Sequence, residues 1–477
     1  MKKSGIFCIF MAAILIISTL MPVFAETGNQ SHAIESDISV VSGSHSIDAS
    51  IPVLGSDQLI ENTTNVFLYE ANTDTVLYAW NADEPVHPAS FVKIMTALVA
   101  IEHGKLSDVV SVKEETLNGF PKDSVSVELK PNELITLEDL LYCMIVGSAN
   151  DAAAVIAEHI SGSQEAFVAE MNRYAVELGC TGTNFTNAHG LHDENQITTA
   201  RDSAKILRAA LEKEAFYTIF TTPRYSTEAT NLSPSRYLST SNYLVNREML
   251  EIYYDSRVIG GRTGNATGGE RCLASVAEDD GLLLISIVMG SKSTYEADGV
   301  TVINFGSFNE TRQLLNLAFK EYAPYQVLYN NQSIARRSVV NGENDVILGP
   351  KESLYTSLPK NATLSDLEYR YFDENVQLEA PILKGQKLSA VEVWYNKVCV
   401  AKTDLFALND VRIMQINDSE KTTDSGSGIG KTILLLALIA IAVLVIVLFG
   451  YRISNKLRIS AARKRSRRYR KNRRRSR

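Results

Sequence analysis

A serine and a lysine three residues apart, Ser90 and Lys93, have side chains that could do chemistry together. If a helix begins near Ser90, the two side chains lie on one face, with their Cβ atoms about 5–6 Å apart. A serine hydroxyl becomes a nucleophile when a neighbouring base removes its proton. Lysine can be that base when it is largely neutral, and burial disfavours its charged form. The pair therefore predicts nucleophilic catalysis at Ser90, with Lys93 as the base.

The residues after Lys93 favour a buried position for its amine. They are apolar nearly all round the helix that they would form: Ile94, Met95, Ala97, Leu98, Val99, Ala100 and Ile101. Such a helix is typical of the centre of a domain. The alternative is that Ser90 caps an ordinary core helix and that Lys93 extends its amine to solvent. The Ser-x-x-Lys spacing alone does not decide between them, because it is frequent by chance.

Two later segments add polar groups that could complete a site. Ser148 and Asn150 lie on a predicted turn between two helical segments, where a polar pair can point into a cleft. The segment from Arg262 to Asn265 lies where the periodicity changes from helix to strand. Taken singly, Ser148 and Asn150 could cap a helix, and Arg262 to Gly264 could be a turn.

The elements that must position these residues follow from periodicity. Strand patterns appear at 66–80 and again at 258–290, and helical patterns dominate residues 88–215. A closing helix is predicted at 314–322. The two strand regions would form one antiparallel sheet flanked by the helices between them, so we expect an α+β domain over residues 61–325.

The rest of the C-terminal part differs from this domain. Residues 326–417 contain short alternating runs separated by Asn, Gly, Pro and Lys, which predict a small all-β sandwich. A polar linker, 418–431, leads to an uncharged apolar run, 432–450, long enough to span about 30 Å of hydrocarbon. The basic tail, 451–477, is typical of the cytoplasmic side of a span. It could instead bind nucleic acid, but anionic lipid is the nearer partner.

The N-terminus and the charge distribution predict export. Residues 1–25 combine two lysines, an apolar run and a small-residue site ending at Ala25, as in a cleavable signal peptide; an uncleaved anchor is the alternative. Residues 26–60 are polar and predict a flexible spacer. The net charge is −8 although the tail is strongly basic, so the body between the two ends is acidic. A general nucleic-acid surface is therefore not expected on the body, which would lie outside the cell on a single-pass anchor.

Neither disulfides nor a metal centre are indicated. Cys8 lies in the leader, and four cysteines without zinc spacing are predicted to be buried free thiols: Cys143, Cys180, Cys272 and Cys399. His189 and His192 are three residues apart, but no third ligand is patterned near them. We expect no metal and no cofactor.

In their order along the chain, three motifs resemble those of the penicillin-recognising serine enzymes: Ser90-x-x-Lys93, Ser148-x-Asn150 and Arg262-Thr263-Gly264. The surrounding sequence is most similar to the low-molecular-weight penicillin-binding proteins, which are serine-type D-alanyl-D-alanine carboxypeptidases. This similarity covers about residues 60–415 and includes Met171-Asn172, Leu178-Gly179 and Gly190-Leu191. It implies a penicillin-binding/β-lactamase-like transpeptidase domain, followed by the β domain and the C-terminal transmembrane helix.

The resemblance also implies a reaction at the first two motifs. Ser90 would attack the carbonyl between the two D-alanines of a peptidoglycan stem pentapeptide and form an acyl-enzyme, while Lys93 takes its proton. Ser148 would relay a proton to the leaving D-alanine, and Asn150 would hold the peptide carbonyl and Lys93. A β-lactam antibiotic would acylate Ser90 and leave slowly.

The third motif would bind substrate, again as the resemblance implies. Arg262, Thr263 and Gly264 would hold the terminal carboxylate, and the N–H groups of Ser90 and Asn265 would form the oxyanion hole. The family usually has lysine in place of Arg262. Arginine keeps the positive charge and the carboxylate-binding fork, but it stays protonated and cannot relay a proton.

Two other functions are compatible with these motifs. A β-lactamase is disfavoured by the extra β domain, the predicted span and the lack of a recognisable deacylating-glutamate motif. A catalytically weakened protein that binds peptidoglycan or β-lactams is the other alternative, because Arg262 departs from the usual residue.

Overall fold

The computed structural model describes residues 59–266, 270–296, 302–372 and 376–414. The predicted signal peptide, linker, membrane span and basic tail, and nearly all of the predicted spacer, lie outside these residues. Among the residues that the structure describes, no helix is both long and apolar enough to cross a bilayer.

A five-stranded antiparallel sheet forms the centre of the catalytic region, with the strand order β2-β1-β9-β8-β7. Its strands come from two distant parts of the chain: β1 (Asn65–Glu70), β2 (Thr75–Trp80), β7 (Val258–Asn265), β8 (Arg271–Asp279) and β9 (Leu282–Ser291). Strand β1 joins the two parts, because it pairs with β9 in a register that sets Phe67 opposite Ile287. The predicted single sheet is thus confirmed, and it places β7, with the third motif, at one edge.

Helices cover both faces of this sheet, and each face has its own apolar core. The helices are α1 (Val92–His103), α2 (Leu137–Ile145), α3 (Asn150–Ser161), α4 (Gln164–Glu177), α5 (Ala200–Leu211), α6 (Glu214–Phe220) and α7 (Gly306–Glu321). Helix α1 is buried from Val92 to Ala100, as predicted for a central helix. Helix α7 begins well before the predicted start at 314, because its first turns are polar and lack an apolar period.

Short strand pairs complete the catalytic region. They are β3 (Val109–Ser111) with β4 (Leu134–Thr136), β5 (Arg224–Ser226) with β6 (Tyr237–Ser239), and β10 (Thr294–Tyr295) with β11 (Val302–Asn304). The first two pairs fall in or just after the region predicted to be helical. Three-residue strands carry too few residues for an alternating pattern to be recognised.

A separate β region follows α7, as the sequence predicts. Its strands are β12 (Tyr322–Leu328), β13 (Ala335–Arg337), β14 (Val339–Val340), β15 (Val346–Gly349), β16 (Leu354–Pro359), β17 (Leu367–Tyr371), β18 (Leu378–Glu379), β19 (Lys387–Tyr395) and β20 (Val398–Ala407). The β12–β16 pair and a five-stranded sheet, β13-β15-β20-β19-β17, share one apolar core. The predicted boundary at 325/326 falls inside β12, because this strand begins directly where α7 ends.

A buried carboxylate joins the two regions. Glu70, fully buried at the end of β1, accepts hydrogen bonds from the N–H groups of Thr73 (2.7 Å) and Leu283 (2.9 Å) and from the hydroxyl of Ser357 (3.4 Å). Burial raises the pKa of this carboxyl group. The hydroxyls of Thr73 and Ser357 lie 2.9 Å apart across the same contact. Polar side chains therefore fix the β region to the hairpin of β1 and β2.

Candidate active site

Ser90 and Lys93 lie together where a short 3₁₀ turn, Ala89–Phe91, runs into α1. The amine of Lys93 lies 3.3 Å from Ser90 Oγ and donates to Asn150 Oδ1 at 2.7 Å. It also donates to the carbonyl oxygen of His189. The lysine side chain is 0% exposed, so burial is the first cause, and the nearby charge of Arg262 the second, that hold its pKa well below 10.5. An amine in this setting is suited to accept a proton from the serine.

A tight loop contact positions the acceptor carbonyl of His189. Gly190 has a positive φ of 83°, and a Cβ atom on it would lie 2.2 Å from the carbonyl oxygen of Ala89. Only glycine therefore allows this loop to pack against the residue before Ser90. The side chain of Asn187 holds the loop by accepting from the N–H of Gly190 at 2.7 Å.

The second motif lies on the turn between α2 and α3, as predicted. Ser148 adopts a positive φ of 65°, and Asn150 opens α3. The amide of Asn150 is held at both ends, because its oxygen accepts from Lys93 and its nitrogen donates to Ser124 Oγ at 2.8 Å. Its orientation towards the lysine amine is therefore fixed by the protein.

Asp151, next to Asn150, fixes the loop that carries Ser124. Its carboxylate accepts from the hydroxyl of Ser126 at 2.7 Å and from the N–H groups of Val127 (3.2 Å) and Leu129 (3.1 Å). The loop thus forms a wall beside the second motif. A carboxylate that accepts several such hydrogen bonds is a strong local anchor.

Arg262 reaches from β7 towards the second motif. Its guanidinium is 2% exposed and donates to the carbonyl oxygen of Ile145 at 2.8 Å, to Ser148 Oγ at 2.5 Å and, more weakly, to the carbonyl oxygen of Ser90 at 3.5 Å. Burial lowers its pKa to about 10. It makes no salt bridge with any residue that the structure describes. The site therefore contains a positive charge that no carboxylate among the described residues neutralises.

The remaining residues of the third motif line the edge strand. Thr263 Oγ1 lies 2.5 Å from Ser241 Oγ, and Ser241 is exposed. Gly264 passes close to the nucleophile, because a Cβ atom on it would lie 3.4 Å from the backbone nitrogen of Ser90. The side chain of Asn265 turns away to accept from Arg271 at 2.7 Å.

The structure thus brings all eight predicted site residues to one cleft, and it adds partners that motif reasoning missed. Ser124, Ser241 and the carbonyl group of His189 contact motif residues but lie outside any recognisable pattern. The His189 ring packs edge-on against Phe120 at 5.3 Å, and burial lowers its pKa to about 4. Within the described ranges, no cluster of three or more His, Cys, Asp or Glu side chains could hold a metal.

All four cysteines that the structure describes are free, and the prediction of buried free thiols is confirmed for three of them. Cys143, Cys180 and Cys272 are buried, whereas Cys399 is only half-buried. Cys272 lies opposite Gly264 on the neighbouring strand, where it packs beneath the third motif.

Comparisons with known proteins agree with this geometry. A family model described as D-alanyl-D-alanine carboxypeptidase matches residues 56–293, and one described as penicillin-binding protein 5, C-terminal domain, matches residues 322–412. The D-alanyl-D-alanine carboxypeptidase DacA of Haemophilus influenzae is 31% identical over 72% of this chain and 84% of its own length. The DacF protein of Bacillus subtilis is 28% identical over 74% of this chain and 87% of its own length.

A solved structure is similar over the same extent. The crystal structure of penicillin-binding protein 5 from Haemophilus influenzae has a TM-score of 0.62 and 29% identity, and the match covers 75% of this chain and 100% of that one. The fold and the Ser–Lys cleft define a penicillin-binding-type serine enzyme. The chain belongs to the D-alanyl-D-alanine carboxypeptidase family.

Proposed function

We propose that this D-alanyl-D-alanine carboxypeptidase is a serine-type enzyme that removes the terminal D-alanine from peptidoglycan stem pentapeptides through an acyl-enzyme at Ser90. One observation carries the assignment: the buried amine of Lys93 lies within hydrogen-bonding distance of both Ser90 Oγ and Asn150 Oδ1. A lysine whose charged form is disfavoured in this way is a base that can activate the serine.

The acylation step uses the first two motifs. Ser90 Oγ attacks the carbonyl carbon between the two D-alanines while its proton passes to Lys93. The N–H groups of Ser90 and Asn265 hold the developing oxyanion, a role supported by the close approach of Gly264 to the Ser90 nitrogen. Ser148 then relays the proton held by Lys93 to the nitrogen of the leaving D-alanine, so that both side chains return to their starting protonation states. Asn150 orients the substrate carbonyl and the lysine.

The third motif recognises the terminal carboxylate. The paired hydroxyls of Thr263 and Ser241 donate to it, with Gly264 shaping the strand between Thr263 and Ser90. Arg262 supplies a buried positive charge beneath these groups rather than an open fork, because its N–H groups are directed at protein atoms. Water then hydrolyses the acyl-enzyme. A β-lactam forms the same bond to Ser90, and no metal or cofactor takes part.

The enzyme acts at the extracytoplasmic face of the membrane. We assign residues 1–25 to a signal peptide, 26–60 to a spacer and 418–431 to a linker. The apolar run 432–450 anchors the protein in the bilayer, and the basic tail 451–477 is cytoplasmic, because positive residues flank the inner side of spans.

Mass spectrometry after reaction with penicillin tests the assignment. We expect one covalent adduct, located on Ser90, and release of D-alanine from a D-Ala-D-Ala peptide. The Ser90→Ala variant should show neither. A label on another residue would overturn the site assignment, whereas labelling of Ser90 without D-alanine release would mean a binding protein rather than a peptidase.

A further inference from the structure

A buried asparagine, Asn242, directly follows Ser241 in the irregular segment after β6. Its side chain is 0% exposed, and its Oδ1 accepts from the N–H of Leu244 at 3.0 Å. The N–H of Asn242 in turn donates to Thr240 Oγ1 at 3.2 Å. An asparagine that bonds to the backbone two residues further on is typical of a turn that is closed by its side chain. Asn242 therefore shapes the turn that carries the Ser241 hydroxyl.

The same side chain packs on the edge strand β7. A Cβ atom on Gly261 would lie 2.3 Å from Asn242 Nδ2 and 2.7 Å from the carbonyl oxygen of Ala274, so there is no room for a side chain at this position. Gly261 and Thr263 are two residues apart, and residues at this spacing point to the same face of a strand. Asn242 thus lies over Gly261 on the face that carries the Thr263 hydroxyl.

These contacts place two consecutive residues of the turn on two positions of the strand. Ser241 Oγ lies 2.5 Å from Thr263 Oγ1. Asn242 lies over Gly261, about 7 Å further back along β7 at about 3.3 Å per residue. Consecutive residues cannot move independently over such distances, because their Cα atoms are only about 3.8 Å apart. The packing of Asn242 on Gly261 therefore fixes the point at which the Ser241 hydroxyl meets the strand.

The amide nitrogen of Asn242 is buried without a hydrogen-bond partner among the residues that the structure describes. A buried donor that lacks a partner lowers the stability of the folded protein. The stability of the turn alone therefore does not account for an asparagine here. Truncation of this side chain would remove an unfavourable group together with the favourable bond to Leu244, so we expect the truncated protein to fold.

We propose that Asn242 is a positioning residue for substrate binding: by packing on Gly261, it holds the Ser241 hydroxyl beside Thr263, where the terminal carboxylate of the substrate binds. The proposal rests on the proposed function, because it takes the hydroxyl pair of Ser241 and Thr263 as the carboxylate site. Asn242 is buried beneath this pair and does not touch the substrate, so its effect must pass through Ser241.

A double-mutant cycle on the full-length protein tests this role, with release of D-alanine from a D-Ala-D-Ala peptide as the measurement. Asn242→Ala should raise KM by about three- to tenfold, as Ser241→Ala does, while kcat stays within about twofold. In the Ser241→Ala background, Asn242→Ala should change KM by less than about twofold, because the hydroxyl through which it acts is already absent. An equal rise of KM in both backgrounds, or a loss that falls on kcat, would overturn the positioning role.

Asn409 provides the matched control, because its Oδ1 also accepts from a backbone N–H, that of Ile347 at 2.7 Å, but it lies in the β region. Asn409→Ala should leave KM and kcat within about twofold of their natural values. A rise of KM equal to that in Asn242→Ala would mean that any loosened turn has this effect, and it would overturn the proposal.

A second variant, Asn242→Ser, applies even if the alanine variant fails to fold. Serine keeps an oxygen that can accept from the N–H of Leu244, although more weakly. Its shorter side chain leaves Gly261 uncovered, so KM should rise as in Asn242→Ala. A natural KM in this variant would show that the turn bond, and not the contact with Gly261, positions Ser241, and would overturn the proposal.

A different result would count against the proposed function itself. If the natural protein releases no D-alanine, the carboxypeptidase mechanism fails, and the cycle is repeated with fluorescent penicillin, which also carries a carboxylate. A higher dissociation constant before acylation in Asn242→Ala, which disappears in the Ser241→Ala background, would support the positioning role independently. An unchanged dissociation constant would overturn it.

Discussion

The guanidinium of Arg262 donates a hydrogen bond to Ser148 Oγ at 2.5 Å and makes no salt bridge among the residues that the structure describes. A hydroxyl that accepts from a permanent donor keeps its own proton free to donate elsewhere. The arginine therefore directs the proton of Ser148 away from β7 and into the cleft. A lysine in this position could exchange its proton with Ser148, whereas Arg262 can only hold the oxygen and supply charge.

This contact predicts how acylation responds to changes at Arg262. Arg262→Gln removes the charge and should lower the second-order rate of acylation by fluorescent penicillin by about 10²-fold, the scale for loss of one stabilising donor. Arg262→Lys keeps the charge and should stay within about tenfold of the natural rate. A lysine variant more than tenfold faster than the natural protein would instead identify the natural cleft as a weakened one.

The burial of Lys93 predicts the pH dependence of acylation. Burial and the nearby charge of Arg262 hold the pKa of the amine well below 10.5 in the folded protein, so the amine loses its proton at a lower pH than an ordinary lysine does. The acylation rate should rise with pH only until the amine is deprotonated and then stay constant. Stopped-flow acylation by fluorescent penicillin between pH 5 and 10 measures this midpoint.

The Lys93→Arg variant tests whether Lys93 acts as a base or only as a positive charge. Lys93→Arg remains protonated and should lose at least about 10²-fold in acylation rate at every pH, because arginine cannot accept the proton of Ser90. A midpoint near 10.5 in the natural protein, or a fully active arginine variant, would contradict the role of Lys93 as the base.

The same lysine predicts a pH-dependent stability. Between its lowered folded pKa and 10.5 the unfolded chain binds one more proton than the folded protein, so the free energy of unfolding rises with pH by about 1.4 kcal/mol per unit. Lys93→Met removes this proton linkage at similar side-chain volume. Denaturant unfolding at several pH values should show that the stability of the natural protein, relative to Lys93→Met, increases towards pH 10.5. A pH-independent difference would mean that Lys93 is charged when folded.

The elements that could be predicted from the sequence are those in which an apolar pattern repeats over many residues. Helix α1 is apolar on every side and is buried as predicted, and β8 with β9 forms the predicted hairpin. The strand regions 66–80 and 258–290 are predicted to form one sheet, and in that sheet Gly264 of the third motif lies against the Ser90 nitrogen.

The contacts that refine the site could not be predicted in the same way. Ser241 reaches Thr263 from an irregular segment, and the carbonyl of His189 reaches Lys93 through a loop whose shape depends on Gly190. A backbone carbonyl carries no residue-specific signal, and a serine in a loop is frequent without any role. Such partners depend on tertiary packing that local periodicity does not encode.

The hydroxyl pair of Ser241 and Thr263 predicts a selective defect in substrate binding. Ser241 is exposed and contacts no group of the proposed proton-transfer path, so Ser241→Ala should raise KM for a D-Ala-D-Ala peptide by about three- to tenfold, the net effect of one ordinary hydrogen bond. The value of kcat should change little. Steady-state release of D-alanine gives both constants, and Ser239→Ala, two residues earlier at the end of β6, is the control. A lower kcat with unchanged KM would place Ser241 in the chemical step instead.

The contacts of the Asp151 carboxylate predict that a substitution there can loosen the loop that carries Ser124 without changing the nucleophile Ser90. Asp151→Ala removes the acceptor of Ser126, Val127 and Leu129, so the loop should open more often and carry Ser124 away from Asn150. We expect acylation to slow by about tenfold and trypsin to cleave faster after the exposed Lys122. Glu128→Gln is the matched control, because this acid lies on the same loop, is exposed and is not next to the cleavage site. Unchanged trypsin cleavage in Asp151→Ala, or an equal effect in Glu128→Gln, would show that the loop is held by its apolar contacts rather than by the carboxylate.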